Sequence, residues 1–308
     1  MKIGSIAFAM MTAATLAACF TAPPPVNEEM EPFFQPLAPL PGAGVALVLS
    51  GGSARGFAHA GVLKALEANG LRPDLIVGSS AGSVVGVLYA SGLNAAELES
   101  ALGRLDASVF SEIAMPGLPF LPSPLGIVRS EGLRRFIDRE ARAHRMEDFP
   151  IRFAAVATDL LTGQPQIFNA GDAGRAVSAS SAVPGIITPL LIRGRLYGDG
   201  QLSSPLPVAA ARALGARIVI AVDVVYPPDH AHLTSAMGVL FQAFVISAHR
   251  LKQWEIAAAD SVIAPDLGRT TGQWSFGDRE RLIAAGEAAT LKALDRLRPL
   301  FTRPAIPP

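Results

Sequence analysis

The fold is decided by the stretch Val45-Ala46-Leu47-Val48-Leu49-Ser50-Gly51-Gly52-Ser53-Ala54-Arg55-Gly56 and by the segments around it. Its first six residues form a short apolar run that ends at glycines, which is typical of a strand buried on both faces. Residues 57–69 then carry apolar side chains at helical spacing, and Gly70 follows as a common residue after a helix. We therefore predict a strand, a glycine loop and a helix in this order.

A second strand is predicted at Leu75-Ile76-Val77, which runs directly into Gly78-Ser79-Ser80-Ala81-Gly82. Pro73 separates this strand from the preceding helix. A strand, a helix and a strand in so short a span predict a parallel crossover, in which the glycine loop and Ser80 leave the same carboxyl edge of the sheet. Residues 81–91 predict a further helix, whose small residues at 82, 86 and 90 allow close packing on the sheet and whose N-terminus points at Ser80. Further strands are predicted at residues 217–222 and 261–264.

Three segments supply the groups that an acyl transfer to water requires. Gly51, Gly52 and Ser53 offer backbone N–H groups that can stabilise an oxyanion. Ser80 lies in a Gly-x-Ser-x-Gly pattern at a strand-to-helix turn, and Asp199 lies in a tight turn before a glycine. Together they predict an esterase in which Asp199, without a histidine, accepts the proton of the Ser80 hydroxyl.

Other assignments of the polar residues were weighed against this one. A triad of the α/β-hydrolase type would use a late histidine such as His249 as the base. Asp159 follows a strand predicted at residues 151–157, and we interpret it as a turn cap rather than a catalytic acid. Arg55 and Gly56 are expected to support the glycine loop. For Arg55 the alternatives are a phosphate headgroup or a structural ion pair, and the ion pair is favoured.

Several other function classes are excluded. The loop from Gly51 to Gly56 matches the start of a nucleotide-binding P-loop, but Phe57 lies where that motif requires lysine. The pair His230 and His232 lacks the further ligands of a metal site, so we expect a solvated loop there and neither a metal nor another cofactor. A formal net charge of +0 argues against a nucleic acid as partner.

The glycine block Leu49-Ser50-Gly51-Gly52-Ser53-Ala54-Arg55-Gly56-Phe57-Ala58-His59-Ala60-Gly61-Val62-Leu63 resembles that of the patatin-like phospholipases, in the bacterial branch related to neuropathy target esterase. Similar too are Ala157-Thr158-Asp159-Leu160-Leu161-Thr162-Gly163, Ala179-Ser180-Ser181-Ala182-Val183-Pro184-Gly185 and Asp199-Gly200. The resemblance implies a three-layer α/β/α sandwich with a mainly parallel central sheet. It also implies Ser80 as nucleophile, Asp199 as base, and calcium-independent hydrolysis of acyl esters of phospholipids or lysophospholipids.

Two positions depart from the family pattern. Ser53 replaces the third glycine of the block, which affects the oxyanion hole only if the position needs a positive φ. Gln201 lies where glycine or alanine is common, and we expect it to affect the shape of the pocket more than the chemistry. The alternative to an enzyme is a catalytically silent lipoprotein of the same fold that binds lipid or acts as a scaffold; the intact Ser80 and Asp199 favour the enzyme.

The N-terminus predicts a bacterial lipoprotein. Met1-Lys2, the apolar residues 3–14 and Leu16-Ala17-Ala18-Cys19 form a signal peptide with a lipobox, so that residues 1–18 are removed and Cys19 is lipidated. Cys19 is the single cysteine of the chain, which excludes an intramolecular disulfide. Phe20, in place of aspartate, predicts the outer membrane. The proline-rich residues 19–43 predict an extended tether, and residues 44–308 one hydrolase domain.

Two segments of the hydrolase domain carry no charge. Residues 115–128 carry no charge, four prolines and two glycines. We predict a lid over an apolar pocket there, the alternative being a connection buried in the core. Residues 233–248 are uncharged but hold several polar residues, which predicts a buried or surface-seeking helix rather than a membrane span.

Overall fold

The computed structural model describes residues 44–110, 125–228, 233–268 and 275–302 of the 308-residue chain. Within these ranges one sheet has eight strands. In chain order the strands are β1 (Val45–Leu49), β2 (Leu75–Ser79), β3 (Arg152–Asp159), β4 (Pro165–Phe168), β5 (Leu190–Ile192), β6 (Arg195–Gly198), β7 (Ile218–Val222) and β8 (Ser261–Ile263).

Eight α-helices are described in the same ranges. They are α1 (Phe57–Ala68), α2 (Ala81–Ala90), α3 (Ala95–Gly103), α4 (Glu131–Glu140), α5 (Ala173–Ser180), α6 (Val208–Ala213), α7 (Ala236–Ala257) and α8 (Arg279–Phe301). Short 3-10 helices lie at Ser53–Gly56, Ala107–Phe110, Met146–Asp148, Gly200–Leu202 and Phe276–Asp278. None of the described helices has the length and apolar character needed to cross a membrane.

The centre of the sheet is parallel, in the spatial order β3-β2-β1-β7-β8. Strands β4, β5 and β6 extend it in antiparallel fashion beyond β3. The pairing of β1 with β2 runs from Ala46 opposite Leu75 to Leu49 opposite Gly78. The glycine loop and the Ser80 turn therefore begin side by side at the carboxyl edge, and the predicted crossover is confirmed.

Helices cover both faces of the sheet, which explains why every residue of β1 and β7 is buried. On one face, Leu47 and Leu49 belong to a core built with α1 to α5 and α8. On the other face, Ala46 and Val48 belong to a second core that includes α6. The predicted three-layer α/β/α architecture with a mainly parallel sheet is confirmed.

Several sequence-based predictions concern residues outside the described ranges. These are the signal peptide, Cys19 and the tether, the first ten residues of the proposed lid, and His230 with His232. The described end of the lid segment, residues 125–128, runs beside residues 186–188. The N–H groups of Ile127 and Val128 donate to the Ile186 carbonyl at 2.9 and 2.8 Å.

Candidate active site

Ser80 lies in the turn between β2 and α2 with φ 50° and ψ −123°, a backbone conformation that non-glycine residues rarely adopt. The Ser180 hydroxyl holds this turn, because it accepts from the Ser80 N–H at 2.9 Å and donates to the Val156 carbonyl at 2.6 Å. Gly82 allows α2 to start this close to the sheet, since a Cβ there would lie 2.1 Å from the Leu49 carbonyl oxygen. The Gly-x-Ser-x-Gly pattern thus has a steric origin.

Asp199 follows β6 and meets Ser80 across the carboxyl edge of the sheet. The Ser80 hydroxyl donates to Asp199 Oδ2 at 2.7 Å, and the Gln201 N–H donates to Asp199 Oδ1 at 2.8 Å. The Thr158 hydroxyl donates to the Asp199 carbonyl at 2.8 Å, which ties this turn to the end of β3. Both carboxyl oxygens are therefore fixed, with one of them directed at Ser80.

Burial raises the pKa of Asp199 to about 7, because removal from water disfavours the charged carboxylate. The side chain has no exposed surface. Hydrogen bonds from the Gln201 backbone, from Ser80 and from the Gln201 side chain lower the pKa and offset part of this effect. A carboxylate with a pKa near 7 is better suited to take a hydroxyl proton at neutral pH than one near the ordinary value.

Neither of two buried or half-buried histidines takes part in this pair. His59 Nε2 lies 2.9 Å from the Ser50 carbonyl, and burial lowers the pKa of His59 to about 4. His249 lies on α7, where burial and then Lys252 lower its pKa. The hydroxyl of Ser80 reaches Asp199 directly, so the geometry contradicts a triad built on His249.

The structure leaves two of the three predicted oxyanion donors in the glycine loop. The Gly51 N–H already donates to the Pro205 carbonyl at 3.0 Å. The N–H groups of Gly52 and Ser53 have no acceptor in the part of the chain that the structure describes. Ser53 has φ 47°, so this position does need the left-handed conformation that glycine adopts freely, at a cost to serine of about 1 kcal/mol. Gly52 and Ser53 remain as candidate donors.

Gln201 touches the base itself, so the expectation that it would act mainly on pocket shape is wrong. Its backbone N–H and its side chain both hydrogen bond Asp199. The side chain also lies against the glycine loop, because a Cβ on Gly51 would come within 2.3 Å of it. Gln201 therefore connects the carboxylate to the loop that carries the oxyanion donors.

We expect Gln201→Ala to move the acid limb of the pH profile of kcat/KM to higher pH. The reason is that the side-chain hydrogen bond lowers the pKa of Asp199. Without this bond, burial raises the pKa of Asp199 further. The profile is measured between pH 5 and 9 on a short soluble ester. Gln164→Ala, at an exposed glutamine in the β3–β4 turn, is the matched control. An acid limb at the same pH in both variants would contradict a role for Gln201 in setting this pKa.

An apolar pocket opens beside Ser80 and has about 600 Å³ of empty space, its open mouth included. Polar side chains reach it from Ser53, Ser80 and Ser181, and none of the described residues that line it is charged. The other lining residues are Ala54, Gly56, Phe57, Ala81, Val84, Val85, Leu102, Leu105, Leu133, Val183, Ile187 and Phe276. A cavity with such an apolar lining suits an acyl chain.

Arg55 fastens the glycine loop, but not in the predicted way. Its Nη2 group donates to the Gly268 carbonyl at 3.0 Å, and its guanidinium lies 4.8 Å from the centre of the Tyr226 ring. Among the described residues no carboxylate forms the expected ion pair with it. A carbonyl and an aromatic ring therefore hold Arg55, which is almost fully buried.

Asp159 caps the turn that follows β3, as interpreted from the sequence. Its Oδ1 accepts from the N–H of Leu161 at 2.9 Å and of Thr162 at 3.3 Å, and its Oδ2 pairs with Arg195. These contacts engage both carboxyl oxygens. Asp199, and not Asp159, hydrogen bonds Ser80.

Two positioning residues escaped the sequence-based reasoning. Ser180 fixes the backbone of Ser80, and Thr158 fixes the backbone of Asp199. Both stand inside blocks that carry the family resemblance, but their partners are 100 and 41 residues away in the chain. Within the described ranges, no cluster of three His, Cys, Asp or Glu residues is arranged to hold a metal ion.

Comparisons with known proteins agree with this architecture. Residues 47–212 match the family model of the patatin-like phospholipases. An NTE family protein of Mycobacterium bovis is 37% identical over 179 residues, which are 58% of this chain and 48% of the relative. Lysophospholipase NTE1 of Kluyveromyces lactis is 33% identical over 206 residues, 67% of this chain and 14% of the relative. The chain thus spans less than half the length of these two relatives.

The solved structure of VipD from Legionella pneumophila has the same fold, with a TM-score of 0.52 at 13% identity. The match covers 92% of this chain and 73% of VipD. The family match extends over more than half of the chain and includes the glycine loop and Ser80 as well as Asp199. The chain therefore belongs to the patatin-like phospholipase family.

Proposed function

We propose that this protein is a serine esterase that hydrolyses acyl esters of phospholipids or lysophospholipids through Ser80 and Asp199. The observation that carries the proposal is the 2.7 Å hydrogen bond from the Ser80 hydroxyl to the buried Asp199. The uncharged pocket beside it supports an acyl chain as the bound part of the substrate. Membership of the patatin-like phospholipase family, with a relative named lysophospholipase, supports a lipid ester.

The proposed reaction has two steps. Ser80 Oγ attacks the ester carbonyl while Asp199 Oδ2 takes the hydroxyl proton, and the N–H groups of Gly52 and Ser53 stabilise the oxyanion. When the C–O bond breaks, Asp199 gives its proton to the departing alcohol and an acyl-Ser80 ester remains. Asp199 next takes a proton from a water molecule that attacks this ester. Ser80 recovers its proton from Asp199 as the fatty acid leaves.

Hydrolysis is proposed to be independent of calcium, because backbone N–H groups perform the charge stabilisation that a cation would otherwise supply. A fluorophosphonate probe tests this together with the nucleophile. We expect full labelling of the wild-type chain in EGTA, none of Ser80→Ala, and normal labelling of Ser247→Ala, an exposed control serine on α7. A folded wild-type chain without label would favour a silent lipid-binding protein. Label that is lost in EGTA and restored by calcium would contradict calcium independence.

We also propose that the protein is a lipoprotein of the outer membrane, anchored through lipidated Cys19. In this proposal, residues 1–18 are the signal peptide, 19–43 the tether and 44–308 the hydrolase domain. The lipobox Leu16-Ala17-Ala18-Cys19 and Phe20 support it. The mass of the mature chain tests it: a start at an acylated Cys19 supports the anchor, and an intact Met1 contradicts it.

A further inference from the structure

Helix α7 buries two polar side chains and exposes large apolar ones. Its inner face buries Gln242 and Lys252 as well as Val245 and Ala248. On its outer face, Leu240 and Trp254 are 65% and 81% exposed. A surface helix ordinarily places its apolar side chains toward the core and its polar ones toward water. The described residues leave the outer face of α7 uncovered, and exposing large apolar side chains together is unfavourable.

Polar contacts fix the orientation of α7. The Lys252 ammonium pairs with Asp223, at the end of β7, at 2.6 Å, and both side chains are nearly buried. Glu255 accepts hydrogen bonds from the Ser204 hydroxyl and, at 2.8 Å, from the Leu206 N–H. Rolling the helix to hide its apolar side would break these contacts and leave Lys252 and Asp223 unpaired away from water, which is unfavourable. These contacts therefore keep the outer face of α7 on the surface of the domain.

The exposed apolar surface continues to the mouth of the pocket. Met237, in the first turn of α7, comes within 3.7 Å of the position of a Cβ on Gly185. Gly185 lies between Val183 and Ile187, which both line the pocket. Beyond them, exposed Ile127 donates its N–H to the carbonyl of Ile186. Exposed apolar side chains thus adjoin the segment that borders the pocket.

The outer row of α7 has the composition of a helix that lies at a membrane interface. Leu240, Ala243, Ser247, Arg250 and Trp254 follow one another at intervals of three and four residues, so they share one side of the helix. From Ala236 to Trp254, about 27 Å of helix, no acidic residue occurs. Arginine and tryptophan at one end suit the headgroup level, where a cation and an aromatic ring meet apolar chains.

We propose that a docking face, made of Ile127, Met237, Leu240 and Trp254, binds the surface of a phospholipid bilayer and holds the pocket mouth against it. The proposal rests on the proposed function, because a lipid ester is what such contact would deliver to Ser80. The side chains enter the interface while α7 lies in its plane. A second copy of the chain would also cover apolar surface, and the experiment separates the two.

Trp254 reports directly on this contact in the full-length chain. In a Ser80→Ala, Trp274→Phe chain, Trp254 is the single tryptophan. Vesicles of phosphatidylethanolamine and phosphatidylglycerol with brominated acyl chains are expected to quench its emission at least twofold. The control moves the reporter to α8 in the opposite layer, through Trp254→Phe with Leu291→Trp, at a side chain that is 48% exposed. The same vesicles should quench less than a tenth of the emission of this tryptophan on α8.

Hydrolysis gives a second, independent readout in chains that retain Ser80. Leu240→Ser is expected to lower the ratio of vesicle activity to short-ester activity at least tenfold, whereas Leu291→Ser should keep that ratio within twofold. Unquenched Trp254 would overturn the docking face even when short esters are hydrolysed. An inactive wild-type chain with quenched Trp254 would instead overturn the proposed function alone. Dimers that Leu240→Ser dissociates, without quenching, would assign the face to a second copy.

Discussion

Ser80→Ala and Asp199→Asn are each expected to lower kcat/KM on a short p-nitrophenyl ester by at least about a thousandfold, because nucleophile and base act as one unit. The double variant should be little worse than either single one, since removing one partner already disables the other. The hydrogen bond from Ser80 to Asp199 is the structural basis of this expectation. Initial rates on purified, folded chains measure it.

His249→Ala is the control for this experiment and should keep kcat/KM within about threefold. His249 contacts neither member of the pair in the structure, so its loss leaves the proton path from Ser80 to Asp199 intact. Substantial turnover by Ser80→Ala would remove Ser80 as the nucleophile. A thousandfold loss in folded His249→Ala would restore the triad that the geometry contradicts.

The same Asp199→Asn change is expected to stabilise the fold in a pH-dependent manner. The pKa of Asp199 is raised to about 7 in the folded chain, above its ordinary value of 3.8. Between these values the unfolded chain carries a carboxylate while the folded chain keeps its proton, so the stability of the wild type falls as pH rises. Well above pH 7 the folded chain bears the full free-energy cost of burying a charged carboxylate. Asparagine carries no charge and does not have this cost.

We therefore expect the free energy of unfolding of Asp199→Asn to exceed that of the wild type by roughly 2–4 kcal/mol at pH 8, and by less than about 1 kcal/mol at pH 4. Urea unfolding at the two pH values measures the difference. Ser80→Ala is the matched control, because it also abolishes activity but leaves the buried carboxylate in place. Equal gains at both pH values would contradict a raised pKa for Asp199.

The parts of the site that local patterns determine were predictable from the sequence. The sequence patterns of β1, α1 and β2 predict a parallel crossover. This crossover places the glycine loop and Ser80 at the carboxyl edge of the sheet. The pairing with Asp199 was predicted from the residue types of the three segments and from the family resemblance, and not from their spacing, since 119 residues separate the two side chains. No spacing rule connects groups that only the folded sheet brings together.

Long-range contacts explain what the sequence did not show. Whether the Gly51 N–H is free depends on Pro205, and whether Gln201 reaches Asp199 depends on how the turn after β6 lies against the glycine loop. The pKa of Asp199 depends on burial, which no local pattern reports. In α7, Lys252 is buried because it pairs with Asp223 at the end of β7. A buried lysine on a helix cannot be predicted from the sequence without knowledge of its partner.

The direction in which the chain enters the sheet has a consequence for where the enzyme can work. The described chain begins at Gly44, at the amino end of β1, whereas Ser80 lies at the carboxyl edge. If Cys19 carries the lipid, as proposed, the anchor joins the domain at the edge of the sheet opposite Ser80, and the domain would have to reorient for Ser80 to face the same leaflet. Twenty-five residues at ~3.1 Å each would let an extended 19–43 tether span about 80 Å. A much shorter tether would favour an opposing membrane as the surface that Ser80 faces.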